Sequence, residues 1–190
     1  MRRSLLYALL GLACGLTPGL PAQGAPSPEA AARAFLEAWR VGDHLAAARL
    51  TDPRELRRNR LLFDSLLTHG QASYVAKRLF ELPDSAALLA LDDVAFSAGL
   101  DRFESLLSGA QQPRGQVTGI ELAGVLLQGS DTAHAVYRWQ YEASQPAMRT
   151  FRALTLVRCG THWCVNVLRD FGGLARLLAE PMVPVKRSPD

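Results

Sequence analysis

The chain has 190 residues, 48% of them hydrophobic and 21% charged, a length that suits one domain with a sizeable core. That composition excludes a disordered chain, a collagen, a coiled coil and a multi-span membrane protein. The formal charge is +3, but without Arg2 and Arg3, which sit in a leader, 19 basic side chains face 18 acidic ones, too even a balance for a nucleic-acid partner.

Arg2 and Arg3 precede an apolar run from Leu5 to Leu16, followed by Pro18, Gly19 and Pro21. Charged, apolar and helix-broken zones in that order predict a secretory signal peptide over residues 1–24. The run is too short for a membrane anchor. Ala22 and Gly24 suit signal peptidase, which puts cleavage after Gly24, with Ala22 and Ala25 as the alternatives, and the mature protein outside the cell or in the periplasm. A lipid anchor at Cys14 is the alternative, and with it the only membrane attachment. Ala13 supplies the small residue before the cysteine, although Gly11 stands where such signals carry leucine. A twin-arginine leader is a poor match around Arg2-Arg3.

Ser27-Pro28-Glu29 predicts a helix start, with Ser27 as cap and Pro28 at the first helical position. Ala31, Ala34, Phe35, Ala38 and Trp39 then recur at helical spacing until Gly42. Asp43 to Leu50 reads as a short second helix, and Asp52-Pro53 opens a third that ends at His69-Gly70. The basic stretch Pro53–Arg60 inside it reads as a solvated helix face. Tyr74 to Leu82 is ambiguous between strand and helix end. Pro83-Asp84-Ser85 is a turn or cap, and the apolar positions from Leu88 to Leu107 predict one or two more helices.

From Gln116 the pattern changes to strands: Val117–Leu127, Thr132–Ala143, Arg149–Cys159 and His162–Leu168, rich in Val, Leu, Thr, Tyr and Trp and separated by turn signals. The expected architecture is α+β, with N-terminal helices packed on an antiparallel meander. One domain over residues 25–170 is expected, then a C-terminal helix and flexible tail over 171–190. Cys159 and Cys164 flank Gly160 in a tight hairpin and, in an oxidising compartment, predict a disulfide. Zinc with His162 as third ligand is the alternative, but it lacks a second ligand pair.

Alternation in the second strand puts Ala133, Ala135, Tyr137, Trp139 and Tyr141 on one face and His134, Val136, Arg138, Gln140 and Glu142 on the other. The aromatic face is expected to meet the helices, either as plain core or as the wall of a ligand pocket. Glu121, set between apolar neighbours, is the candidate pocket carboxylate, with Asp92, Asp93 and Asp101 as further candidate bases and Tyr137 as hydrogen-bond donor. No phosphate loop, metal cluster or nucleophile motif appears, so neither a cofactor nor a metal is implied.

The opening helix Ala30-Ala-Ala-Arg-Ala-Phe-Leu-Glu-Ala-Trp39, its Gly42-Asp43 break with an Ala-rich continuation, and the closing strand Trp163-Cys-Val-Asn-Val167 together resemble the NTF2-like superfamily. The resemblance spans about residues 27 to 170. It implies a ketosteroid-isomerase-like cone, in which helices close a strongly curved antiparallel sheet around a pocket. It further implies a family of cofactorless isomerases, cyclases and dehydratases alongside binding and accessory domains. The resulting expectation is an exported non-catalytic domain that takes a small apolar ligand or a protein partner. The alternative is a cofactorless isomerase or cyclase using a pocket carboxylate.

Members of that superfamily often pair through the outer sheet face. By parity Ile120, Leu122, Leu126, Val136, Leu154 and Leu156 would form an apolar patch there, with His134 and Arg138 at its rim. A homodimer or docked partner is expected on that patch, unless Phe171 to Leu178 folds back to cover it.

Overall fold

A computed structural model describes residues 25–67, 71–111, 116–142, 149–167 and 171–179. The expected signal peptide, its Cys14 and the tail beyond Ala179 lie outside the described residues.

Local chemistry sets the helix starts. Ser27 accepts a hydrogen bond from the Ala30 N–H at 3.1 Å, and Pro28 opens α1 (Pro28–Arg40). Asp43 caps α2 (His44–Arg49) through the Ala46 N–H, and Asp52, followed by Pro53, caps α3 (Pro53–Leu66). Of the ambiguous segment Tyr74 to Leu82, the part up to Leu79 is helical and belongs to α4 (Ala72–Leu79). Asp84 caps α5 (Ser85–Leu89), and Asp92 receives the Ala95 N–H at 2.7 Å in the first turn of α6 (Asp93–Gln111). Each of these oxygens satisfies a donor that the helix itself leaves unpaired.

Four strands follow, β1 (Gln116–Gln128), β2 (Thr132–Glu142), β3 (Arg149–Cys159) and β4 (His162–Asn166), paired antiparallel in chain order as an open sheet. Two irregularities, between Val117 and Gly119 and between Leu122 and Gly124, interrupt the β1–β2 ladder and bend the sheet. The fold is mixed α+β, with helices packed on a curved antiparallel sheet. A last helix, α7 (Gly172–Ala179), follows the sheet.

The core has two main parts. Along the inner face of the sheet, Phe35, Leu36 and Ala47 from α1 and α2 pack on Ala133, Ala135, Tyr137, Trp139, Leu154, Leu156 and Trp163. Beside it, Phe63, Val75, Phe80, Leu88, Phe96, Leu100 and Phe171 join α3 to α7 in a helical cluster. Ala48, Leu56 and Ala98 pack where the two parts meet. Bridges from Ala25 to Trp163 and from Thr51 to Val165 stitch the helical segments to β4.

The observed register corrects the expected outer patch. Ala135 lies opposite Leu154 and Ala133 opposite Leu156, while Ile120 lies opposite Trp139 and Leu122 opposite Tyr137. Residues directly opposite in a ladder share a face, so Leu154, Leu156, Ile120 and Leu122 belong to the inner, helix-covered side. The fold-back of the C-terminal segment onto the outer face is corrected as well. Phe171 is buried in the helical cluster, and Leu174 and Ala175 pack against that cluster too.

Cys159 and Cys164 are joined by a disulfide, with Cα atoms 5.9 Å apart, inside the bridging range. Gly160, at φ +66°, takes the left-handed position in the two-residue turn between Cys159 and His162. Replacing both cysteines with serine should cost about 2 kcal/mol, the loop-entropy value for so small a ring. Urea unfolding of the double variant measures this, and thiol titration of the unfolded, unreduced protein should find no free thiol at either position.

Candidate functional site

Tyr137 and Trp139 point at α1, as alternation in β2 predicts, but they fill the space there. Their exposures are 7% and 4%. Trp139 sits edge-on to Trp39 with ring centroids 4.7 Å apart, and Tyr137 is tilted against Trp139 at 6.2 Å. The Arg152 guanidinium lies 5.5 Å from the Trp139 ring centroid. The side chain of Tyr141 lies outside the described residues. The aromatic face is packed core where the cone reading expects a pocket wall.

Glu121 stands on the opposite side of the sheet. It lies across from Arg138 in the ladder, is exposed, and forms an ion pair with the Arg138 guanidinium. The structure therefore does not bring together the expected base, Glu121, and the expected donor, Tyr137. The expected aspartates are engaged in structural roles: Asp92 at the start of α6, and Asp93 3.8 Å from Arg57. Asp101 is buried near Asn59 and Ser97, whose Oδ1 and Oγ atoms have no protein partner. These groups surround a cavity of about 10 Å3, lined also by Thr51, Leu56 and Val167, with room for a single water. Nothing larger could react there. Among the described residues no three His, Cys, Asp or Glu side chains gather as a metal site, and no helix is long and apolar enough to cross a membrane.

The outer sheet face carries a different set of residues from the one parity predicts. Leu126 lies opposite His134, Val136 opposite Ala153, and Arg138 opposite both Glu121 and Phe151. Leu126 is 69% exposed, Phe151 63% and Val136 40%. His134 sits between its neighbours, its Nε2 2.6 Å from the Gln128 side-chain oxygen and its Nδ1 3.4 Å from the Thr155 hydroxyl. Helices α1 and α2 pack on the inner face alone. Phe151 is a residue that sequence reasoning missed. The sequence pattern puts its cross-strand partner Arg138 at the rim, but only the register sets Phe151 opposite it.

No protein-family model matches the chain, and no curated protein matches its sequence. Among solved structures, the solution structure of a SEC-C motif-containing protein from Rhodopseudomonas palustris matches 76% of this chain and 79% of its own, at 12% identity and a TM-score of 0.41. The resemblance to the NTF2-like superfamily is corrected by these results. No family model matches the chain, and the inner sheet face is filled by Trp39, Tyr137 and Trp139 where that superfamily would hold a pocket.

Proposed function

We propose that the protein is an exported, non-catalytic binding domain that associates with a second copy of itself through the outer face of its sheet. The observation that carries this reading is the exposed group Leu126, Val136 and Phe151 on three adjacent strands, with the Glu121–Arg138 pair beside Val136 and Phe151, on a face over which no described helix packs. Apolar groups clustered in this way on a sheet face mark interaction surfaces. A two-fold axis presents the same patch from both sides. An acid and a base side by side can then each face the opposite charge of the other copy, so the patch complements itself. The filled inner face favours a surface over an internal ligand pocket, and the separation of Glu121 from Tyr137 removes the arrangement an isomerase would need.

Sedimentation velocity at micromolar concentration tests the reading. The wild-type protein should sediment as a dimer, and Phe151→Glu should yield a folded monomer with its thermal midpoint little changed, because the ring is exposed. Leu61→Glu, on the exposed side of α3, should leave the dimer intact. A wild-type monomer at the highest soluble concentration, or a dimer indifferent to Phe151→Glu, sinks the proposal.

A further inference from the structure

A groove of about 380 Å3 opens on the helical side of the molecule, away from the sheet, at the small end of the range for ligand sites. Its floor is one stripe of α6, formed by Ala95, Ala98 and Gly99, and Arg102 stands one turn further on. Leu45 from α2 and Leu82 and Leu91 from the loops flanking α5 form apolar walls. Phe80 closes one side, packed so tightly on Gly99 that a Cβ there would come within 2.3 Å of the ring.

The polar end of the groove has an unusual construction. Arg102 donates to the Phe80 carbonyl at 3.2 Å and pairs with Glu81 at 3.2 Å. Glu81 is the only described non-glycine residue with positive φ, at +55°, a conformation that costs an L side chain free energy and is usually left to glycine. That residue ends α4, where the turn lets the Leu82 N–H donate to the Ala76 carbonyl at 2.9 Å, and it sets the carboxylate on Arg102 in an ion pair whose two side chains are 43% and 69% exposed, a kind of pair that adds little stability. A pair so exposed opens readily to a competing carboxylate. Asp43, also at the groove, is engaged at the start of α2 by the Ala46 N–H.

We propose that this groove binds a small amphipathic acid, its apolar body lying along Ala95, Ala98 and Gly99 and its carboxylate taking the place of Glu81 on Arg102. Glu81 then acts as an internal placeholder. It keeps the guanidinium aimed at the groove mouth and is displaced when the ligand's carboxylate arrives. The site is independent of the outer sheet face and of any self-association there.

Calorimetric titration with decanoate and with decan-1-ol, which share an apolar body and differ in the head group, tests the assignment. Decanoate should bind roughly tenfold more tightly than the alcohol, the equivalent of one charge-assisted hydrogen bond. Arg102→Gln should abolish that preference while leaving weak alcohol binding. Glu81→Gln, which removes the competitor and leaves Arg102 in place, should strengthen decanoate several-fold and leave decan-1-ol unchanged. Ala95→Trp, which fills the floor from a half-buried position, should abolish binding of both. Thermal melts of each variant confirm that the fold is retained. Failure of both probes to bind, or binding that Ala95→Trp does not touch, overturns the site. Equal binding of acid and alcohol, or indifference to Glu81→Gln, overturns the role given to Arg102 and Glu81.

Discussion

Replacing Trp139 with alanine should lower the unfolding free energy by about 3–5 kcal/mol, the range for removing a buried aromatic side chain. The indole is almost wholly enclosed, meets Trp39 edge-to-face at 4.7 Å and lies beside Tyr137 and beneath Arg152. The substitution therefore loses buried apolar area, one favourable aromatic contact and one cation–π contact together. For a chain of this length such a loss lowers the thermal midpoint by on the order of 10 °C. A pocket wall would behave differently, since a side chain lining an open cavity can be truncated with little change in packing. Urea unfolding decides the matter: a loss below about 1 kcal/mol would mean that the inner face is not packed core. Trp139→Phe should recover much of the stability, because the ring is conserved although its volume is not.

The contrast between Trp139 and Glu121 shows what could be read from the chain alone. Alternation within β2 is a property of one strand, and it correctly divides Tyr137 and Trp139 from Val136 and Arg138. Relating one strand to the next needs the register, and here each residue of β2 faces a β3 residue of opposite numerical parity, as Ala135 faces Leu154. Carrying even and odd positions across the sheet therefore inverts the inner and outer faces of β3. In β1 the irregularity between Leu122 and Gly124 breaks alternation inside the strand, so that Ile120, Leu122 and Val125 all pack on the same core. Glu121, between two of them, falls on the outside. A glycine in a strand can mark such a break, but nothing in the sequence fixes where the ladder resumes.

Among the helices the caps were legible and the packing was not. Ser27-Pro28 and Asp52-Pro53 announce α1 and α3 through side-chain chemistry that acts within three residues. The segment that became α4 is eight residues long and has no side-chain cap, and so short an apolar pattern fits strand or helix. Its helical form is settled by tertiary contacts, with Val75, Ala76 and Leu79 turned into the cluster around Phe96. The site at Arg102 and Glu81 was out of reach for a related reason. The two residues are 21 positions apart, and the left-handed backbone at Glu81 leaves no compositional trace where glycine would have signalled it.

That second cluster yields the other large effect. Phe96 is fully buried, stacks on Phe80 at 5.0 Å, meets Phe63 edge-on at 5.7 Å and has the Arg60 guanidinium 4.6 Å from its ring centroid. Phe96→Ala should cost about 3–5 kcal/mol, because three rings lose their shared contact and Arg60 loses its aromatic face. Arg60 itself should stay in place, since it also donates to the carbonyls of Leu89 and Leu91 at 3.3 and 3.2 Å. Gly99→Ala approaches the same ring stack from outside. An alanine inside α6 gains about 0.5–1 kcal/mol in helix propensity, but its methyl group collides with Phe80, and such overpacking costs about 1–3 kcal/mol. The net should be a modest loss, accompanied by a displaced Phe80 and a distorted groove. Thermal unfolding of the two variants separates the effects, and a Gly99→Ala protein more stable than wild type would show that Phe80 can swing away from α6 without loss. Phe96 lies in the inner-packed cluster of α3 to α7 and Trp139 in the cluster on the sheet, with no residue common to both. The milder pair Phe96→Leu and Trp139→Phe should therefore add to within about 0.5 kcal/mol, as substitutions without shared partners do. A larger coupling between them would mean that the junction at Ala48, Leu56 and Ala98 transmits packing from one cluster to the other.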